Sequence, residues 1–118
     1  MKDFEELGTA GTAAMALDLA WKGCDAVYLS FDIDSIDPGY APGTGTPEPG
    51  GFTPREALEM VRIIAKEGLC AMEVVEVSPP YDVNDSTSQL ACRVILDTLG
   101  TMVTEGKLGH RDKVMRPE

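Results

Sequence analysis

With 118 residues, 43% of them hydrophobic, the chain is one domain at most, and long enough to bury a core. A formal charge of −10, from 20 acidic and 10 basic residues, argues against a nucleic-acid partner and suits a binder of cations. No apolar run approaches the roughly 18 residues of a membrane span, and the acidic first residues lack the apolar core of a signal peptide, so the expectation is no membrane contact and a cytoplasmic protein.

The first periodic segment is GTAAMALDLAWK, residues 11–22, with Ala14, Leu17, Ala20 and Trp21 near one helical stripe and Gly23 as its stop. AVYLSF (26–31), rich in β-branched and aromatic residues, reads as a buried strand. A loop dense in proline and glycine follows. Thr53-Pro54-Arg55-Glu56 is a helix start with a capping box and proline at the first helical position. That helix buries Leu58, Val61, Ile64 and Ala65 and stops at Gly68. LCAMEVVEVS (69–78) is a second strand, ended by Pro79-Pro80, and a third helix runs from about Asp85 to Glu105 with Ala91, Val94, Ile95, Leu99 and Met102 inward. Cys24, Cys70 and Cys92 are widely spaced, form no CxxC pair and read as small buried side chains of a reducing compartment.

Near-continuous apolar strands separated by helices predict an α/β fold with a parallel sheet covered on both faces. Two strands are too few for such a sheet alone. Residues 1–118 therefore read as part of a larger domain.

The chemistry concentrates in SFDIDSIDPGYAPGTGTPEPGG, residues 30–51, which holds four acidic residues and four prolines. Side chains alternate along a strand, so Asp32 and Asp34 point the same way and Ile33 the other, at the carboxyl edge of the sheet where open α/β folds place their sites. Two convergent carboxylates repel unless something positive lies between them, and a metal ion is the simplest answer. The plainer alternative has both aspartates capping turns. Asp37-Pro38-Gly39 reads as turn chemistry. An EF-hand loop counted from Asp32 fails, because its sixth position is Asp37 and its twelfth Gly43. A haloacid-dehalogenase-like phosphotransferase, DxDx(T/V), wants Thr or Val at Ile36 and leaves residues 38–51 unexplained; it stays a distant competitor.

The longer string SFDIDSIDPGYAPGTGTPEPGGFTPREAL resembles the signature of the ureohydrolases, the arginase and agmatinase family, and AMEVVEVSPPYD resembles the matching strand of agmatinases. The resemblance spans about residues 26–99 and leans toward agmatinase or a guanidino-acid or guanidine hydrolase. It implies the C-terminal part of a three-layer, parallel-sheet, arginase-like fold. It also implies two Mn²⁺ ions, or Ni²⁺, sharing a hydroxide that attacks a guanidinium carbon to release an amine and urea. By the same resemblance Asp32 bridges the ions, Asp34 ligates one, and Glu76 binds the guanidinium. Glu73 reads as structural, on the opposite face from Glu76. Thr44 and Thr46 lie in the loop where hydroxyls and amides order substrate or solvent. Trimers or hexamers are the family's usual assemblies, so a homo-oligomer is implied.

The family's first half supplies GGDH and DAHxD segments, with two histidines and two aspartates for the metals, and neither occurs here. The lone histidine, His110, sits in the tail and reads as a surface residue. The chain alone is therefore expected to be inactive. A fragment, a split subunit and a non-catalytic remnant or assembly partner stay open as alternatives.

Overall fold

The computed structural model describes residues 2–108. Three helices and two strands follow in the order α1 (Lys2–Ala20), β1 (Tyr28–Asp32), α2 (Pro54–Glu67), β2 (Ala71–Val75) and α3 (Ser86–Thr104), with short 3-10 turns at Ile33–Ser35 and Pro79–Tyr81. The strands pair in parallel, Tyr28 opposite Ala71 through Asp32 opposite Val75, with α2 as the crossover that parallel strands require.

α2 forms as its sequence dictates. The Thr53 hydroxyl accepts from the Glu56 N–H, and the Glu56 carboxylate accepts from the Thr53 N–H at 2.8 Å. These bonds to Thr53 hold the Glu56 carboxyl below its ordinary range. Such a cap contributes about 1 kcal/mol. The buried stripe of α2 is Ala57, Val61 and Ala65; Leu58 and Ile64 are only half-buried.

Paired residues of a parallel ladder share a face, and faces alternate along each strand. Leu29, Phe31, Met72 and Val74 form the covered face, all half-buried. Phe31 and Val74 pack on a core of Ile33, Ile36, Ala41, Ala57 and Ala91. Ile33 and Ile36 are completely enclosed, and burial of such a side chain stabilises by roughly 1.5–3 kcal/mol. Tyr28, Ser30, Ala71 and Glu73 occupy the other face and are exposed. The α/β class and parallel sheet are as expected, but the described elements supply one helical layer.

That open layer explains several departures. α1 reaches back to Lys2 instead of beginning near residue 11, bends at Gly8 (φ 66°, ψ −178°) and buries only Ala13; Ala14 and Ala20 are exposed. Ile95 and Leu99 were expected inward, yet they are 38% and 41% exposed, while Thr87 and Thr98 fill the inner face of α3. Cys24, Cys70 and Cys92 are free and exposed, not buried, because two stand just before strands and the third on the outer side of α3. The strands are also shorter than their apolar runs, starting at Tyr28 and Ala71. No described helix is long and apolar enough to cross a membrane.

Candidate metal centre

β1 does not carry Asp32 and Asp34 on one strand face. It ends at Asp32, and Ile33–Ser35 turns as a 3-10 helix. The Asp32 carboxylate accepts from the Asp34 N–H at 3.1 Å, and the Asp32 carbonyl accepts from the Ser35 hydroxyl at 2.7 Å. Strand alternation is thus the wrong reason for their proximity. The turn drives the apolar Ile33 into the core and brings the backbone of Asp34 onto the carboxylate of Asp32. The turn-capping alternative is realised for Asp32, whose carboxylate holds the backbone of Asp34 at the end of β1.

The Asp34 carboxylate accepts from the Thr46 hydroxyl at 2.7 Å, across 12 residues of loop. Asp37 has the turn role its sequence indicates. It takes the Gly39 and Gly50 N–H groups, both at 2.8 Å, and so closes the loop on itself. Bonds from Gly50, then Gly39, hold the Asp37 carboxyl below its ordinary range. The loop returns beside its own start, where Phe52 donates to the Ser35 carbonyl at 2.8 Å and accepts from the Asp37 N–H at 3.0 Å. Thr44 is 3% exposed, and its buried hydroxyl has no partner among the described residues.

Glu76 follows β2 directly, one residue past Val75, the partner of Asp32. Neighbouring strands lie about 4.8 Å apart, so Glu76 and Asp32 share the carboxyl edge of the sheet. Glu76 is exposed and left-handed, with φ 64°. A non-glycine residue there costs on the order of 1–2 kcal/mol and signals a constraint from function or packing. Glu73 lies back within β2 on the open face, where its carboxylate accepts from the Ser30 hydroxyl at 2.9 Å. That hydrogen-bonded place agrees with its structural reading. The same carboxylate raises the pKa of the Tyr28 hydroxyl, chiefly through a hydrogen bond.

Asp82, a residue the sequence did not single out, organises the start of α3. The helix expected from about Asp85 begins at Ser86, with Asp85 left-handed at the N-cap position and its side chain capping nothing. Asp82 caps it instead, accepting from the N–H groups of Thr87 at 3.0 Å and Ser88 at 2.9 Å, and from the Ser88 hydroxyl. Burial would raise the Asp82 carboxyl, but hydrogen bonds from Ser88 and Thr87 outweigh it and hold the group well below the usual range. The clue lay in the density of Ser, Thr and Asp over residues 82–88.

Ion pairing among the described residues is confined to Asp97, which holds Arg62 and Arg93. Among the described residues, Asp32, Asp34 and Glu76 have no cationic side chain on them. Among the described residues no group of three or more His, Cys, Asp or Glu is arranged to hold an ion. A cleft of about 530 Å³ between α2 and α3 contains none of the predicted site residues. His110 lies outside the described residues.

The described residues form an α/β chain with carboxylates at the carboxyl edge of its parallel sheet and a loop folded back beside them. The Arginase family model matches residues 1–100, and the chain belongs to that family. It is 48% identical over 77 residues to the mitochondrial guanidino acid hydrolase of Homo sapiens, covering 65% of this chain and 22% of that protein. It is 42% identical over 99 residues to guanidinopropionase of Pseudomonas aeruginosa, covering 84% and 30%. Among solved structures, proclavaminate amidino hydrolase from Streptomyces clavuligerus superposes with a TM-score of 0.79 at 40% identity, covering 88% of this chain and 34% of that one. The chain therefore spans less than a third of the length of these curated relatives.

Proposed function

We propose that this chain contributes the two-carboxylate edge of a metal centre that hydrolyses an agmatine-like guanidino compound to an amine and urea. The observation that carries the reading is the pair Asp32 and Asp34, adjacent at the carboxyl edge of the sheet and without a cationic partner among the described residues.

The donor chemistry fits Mn²⁺, with Ni²⁺ as the second candidate, because carboxylate oxygens suit hard divalent ions. Asp32 and Asp34 would hold the ion, with Thr46 keeping one Asp34 oxygen oriented. A divalent ion held there would supply an ionised water near neutral pH, the attacker that an already positive, resonance-stabilised guanidinium carbon would need. Two carboxylates do not complete a shell, so further ligands must come from another segment of polypeptide.

Glu76 presents a carboxylate at the same edge, and two parallel hydrogen bonds to a planar guanidinium are its natural use. Its left-handed backbone supports that role. The free hydroxyl of Thr44 is the group available to order substrate or solvent inside the loop. Assembly as a homo-oligomer is part of the same proposal.

The test combines metal binding and turnover. Mn²⁺ is titrated into the 118-residue chain and its Asp32→Asn/Asp34→Asn variant, with free ion read by electron paramagnetic resonance. Binding is expected to weaken at least about tenfold in the variant. Urea release from agmatine, guanidinobutyrate and guanidinopropionate is then measured for the chain alone, expected silent, and with a polypeptide carrying the family's GGDH and DAHxD segments. Unchanged Mn²⁺ binding in the variant removes the metal assignment. Silence of the mixture favours a chain that folds without chemistry.

A further inference from the structure

The loop that holds Asp34 is anchored to a distant part of the chain at Gly43. The Gly43 N–H donates to the Thr87 hydroxyl at 2.8 Å, a buried bond between residues 44 apart, and the Gly43 carbonyl accepts from the Ser78 N–H at 2.7 Å. The contact is so close that a Cβ at position 43 would lie 2.8 Å from Asp82 Cβ and 2.9 Å from Thr87 Oγ1. Only glycine fits. Thr87 is wholly enclosed, and its hydroxyl also acts on the Asp82 carboxylate that caps α3. Three residues beyond Gly43, Thr46 donates to Asp34.

We infer that Thr87 is a positioning residue for the metal-binding carboxylate. Its hydroxyl locks Gly43 to the start of α3, and the short segment Thr44–Thr46 carries that fixed position to Asp34. The loop's other anchor, Asp37 with Gly39 and Gly50, ties it only to its own base. Without the Thr87 hydroxyl the Gly43 N–H would be buried without a partner, and the segment would shift or open to satisfy it.

The significance of this lock for catalysis rests on the proposed metal site, but the lock itself does not. Thr98 provides the control. It is equally buried on the same helix, but its hydroxyl donates within α3, to the Val94 carbonyl at 2.8 Å.

The experiment measures amide hydrogen exchange and Mn²⁺ affinity in the 118-residue chain and its Thr87→Val, Thr87→Ser and Thr98→Val variants. Thr87→Val is expected to speed exchange at residues 43–46 about tenfold beyond any change at the α2 amides, and to weaken Mn²⁺ binding by a similar factor. Thr87→Ser should restore both, and Thr98→Val should change residues 43–46 no more than α2. A uniform change in Thr87→Val, matching Thr98→Val, overturns the inference. Local exchange that responds while Mn²⁺ binding is absent or unaltered keeps the loop lock, overturns its link to the metal and counts against the metal reading. Should Thr87→Val fail to fold, loss of protection at Gly43 in Thr87→Ser, which retains the hydroxyl, is the overturning result.

Discussion

Replacing Gly51 by alanine tests whether the stiff loop is built on backbone contact. A Cβ at this position would stand 2.6 Å from both the Asp37 nitrogen and the Ser35 carbonyl oxygen, and 2.7 Å from the Ile36 carbonyl carbon. All three are main-chain atoms, so no side chain can swing away. The loop must retreat from the 3-10 turn, stretching the Phe52–Ser35 and Asp37–Phe52 hydrogen bonds of 2.8 and 3.0 Å. Each bond is worth about 1 kcal/mol net, and overpacking of this kind costs about 1–3 kcal/mol. The expected loss is about 2–4 kcal/mol, a large share of a native stability on the order of 5–15 kcal/mol. Gly45→Ala is the control, because nothing lies within 4 Å of a Cβ there; it should stay within about 0.5 kcal/mol. Urea unfolding followed by far-ultraviolet circular dichroism and by Trp21 fluorescence measures both. A Gly51→Ala midpoint equal to the parent's, or equal losses in the two variants, would refute the reasoning.

Two further outcomes follow from the site. Glu76→Gly should stabilise the chain by up to about 1 kcal/mol in urea unfolding, because glycine adopts the left-handed backbone freely, while abolishing guanidinium binding in the assembled enzyme; a loss of stability would show that the Glu76 side chain packs. Asp82, with its carboxyl held well below the ordinary 3.8, contributes stability that is complete above that value and is lost as pH falls toward its folded-state pKa. Urea midpoints measured downward from about pH 5 should therefore fall in the parent and fall less steeply in Asp82→Asn, which starts lower at neutral pH. Asp37, Glu56 and Asp97 shift in the same direction, so the difference between the two curves isolates Asp82. Parallel curves would remove Asp82 from the acid transition.

The sequence by itself determined what depends on neighbours along the chain. The Thr53 cap, the stop at Gly68, the turn at Asp37 and the alternation of strand, loop and helix all follow from local sterics and hydrogen bonding. The motif of residues 30–51, with the later AMEVVEVSPPYD, also carried the family. The tertiary structure alone decided what depends on residues far apart. A strand pattern cannot reveal that Ile33 gains more from entering the core than from extending β1, which turns the chain at Asp32. Nor can local pattern join Gly43 to Thr87 or place Asp82 on the α3 terminus ahead of Asp85. Ala91, Val94 and Met102 are buried on α3 as expected, whereas Ile95 and Leu99 on α3 and Ala14 and Ala20 on α1 are exposed for the same reason. An apolar side chain is buried only where a partner element covers it, and the described elements cover one face of the sheet.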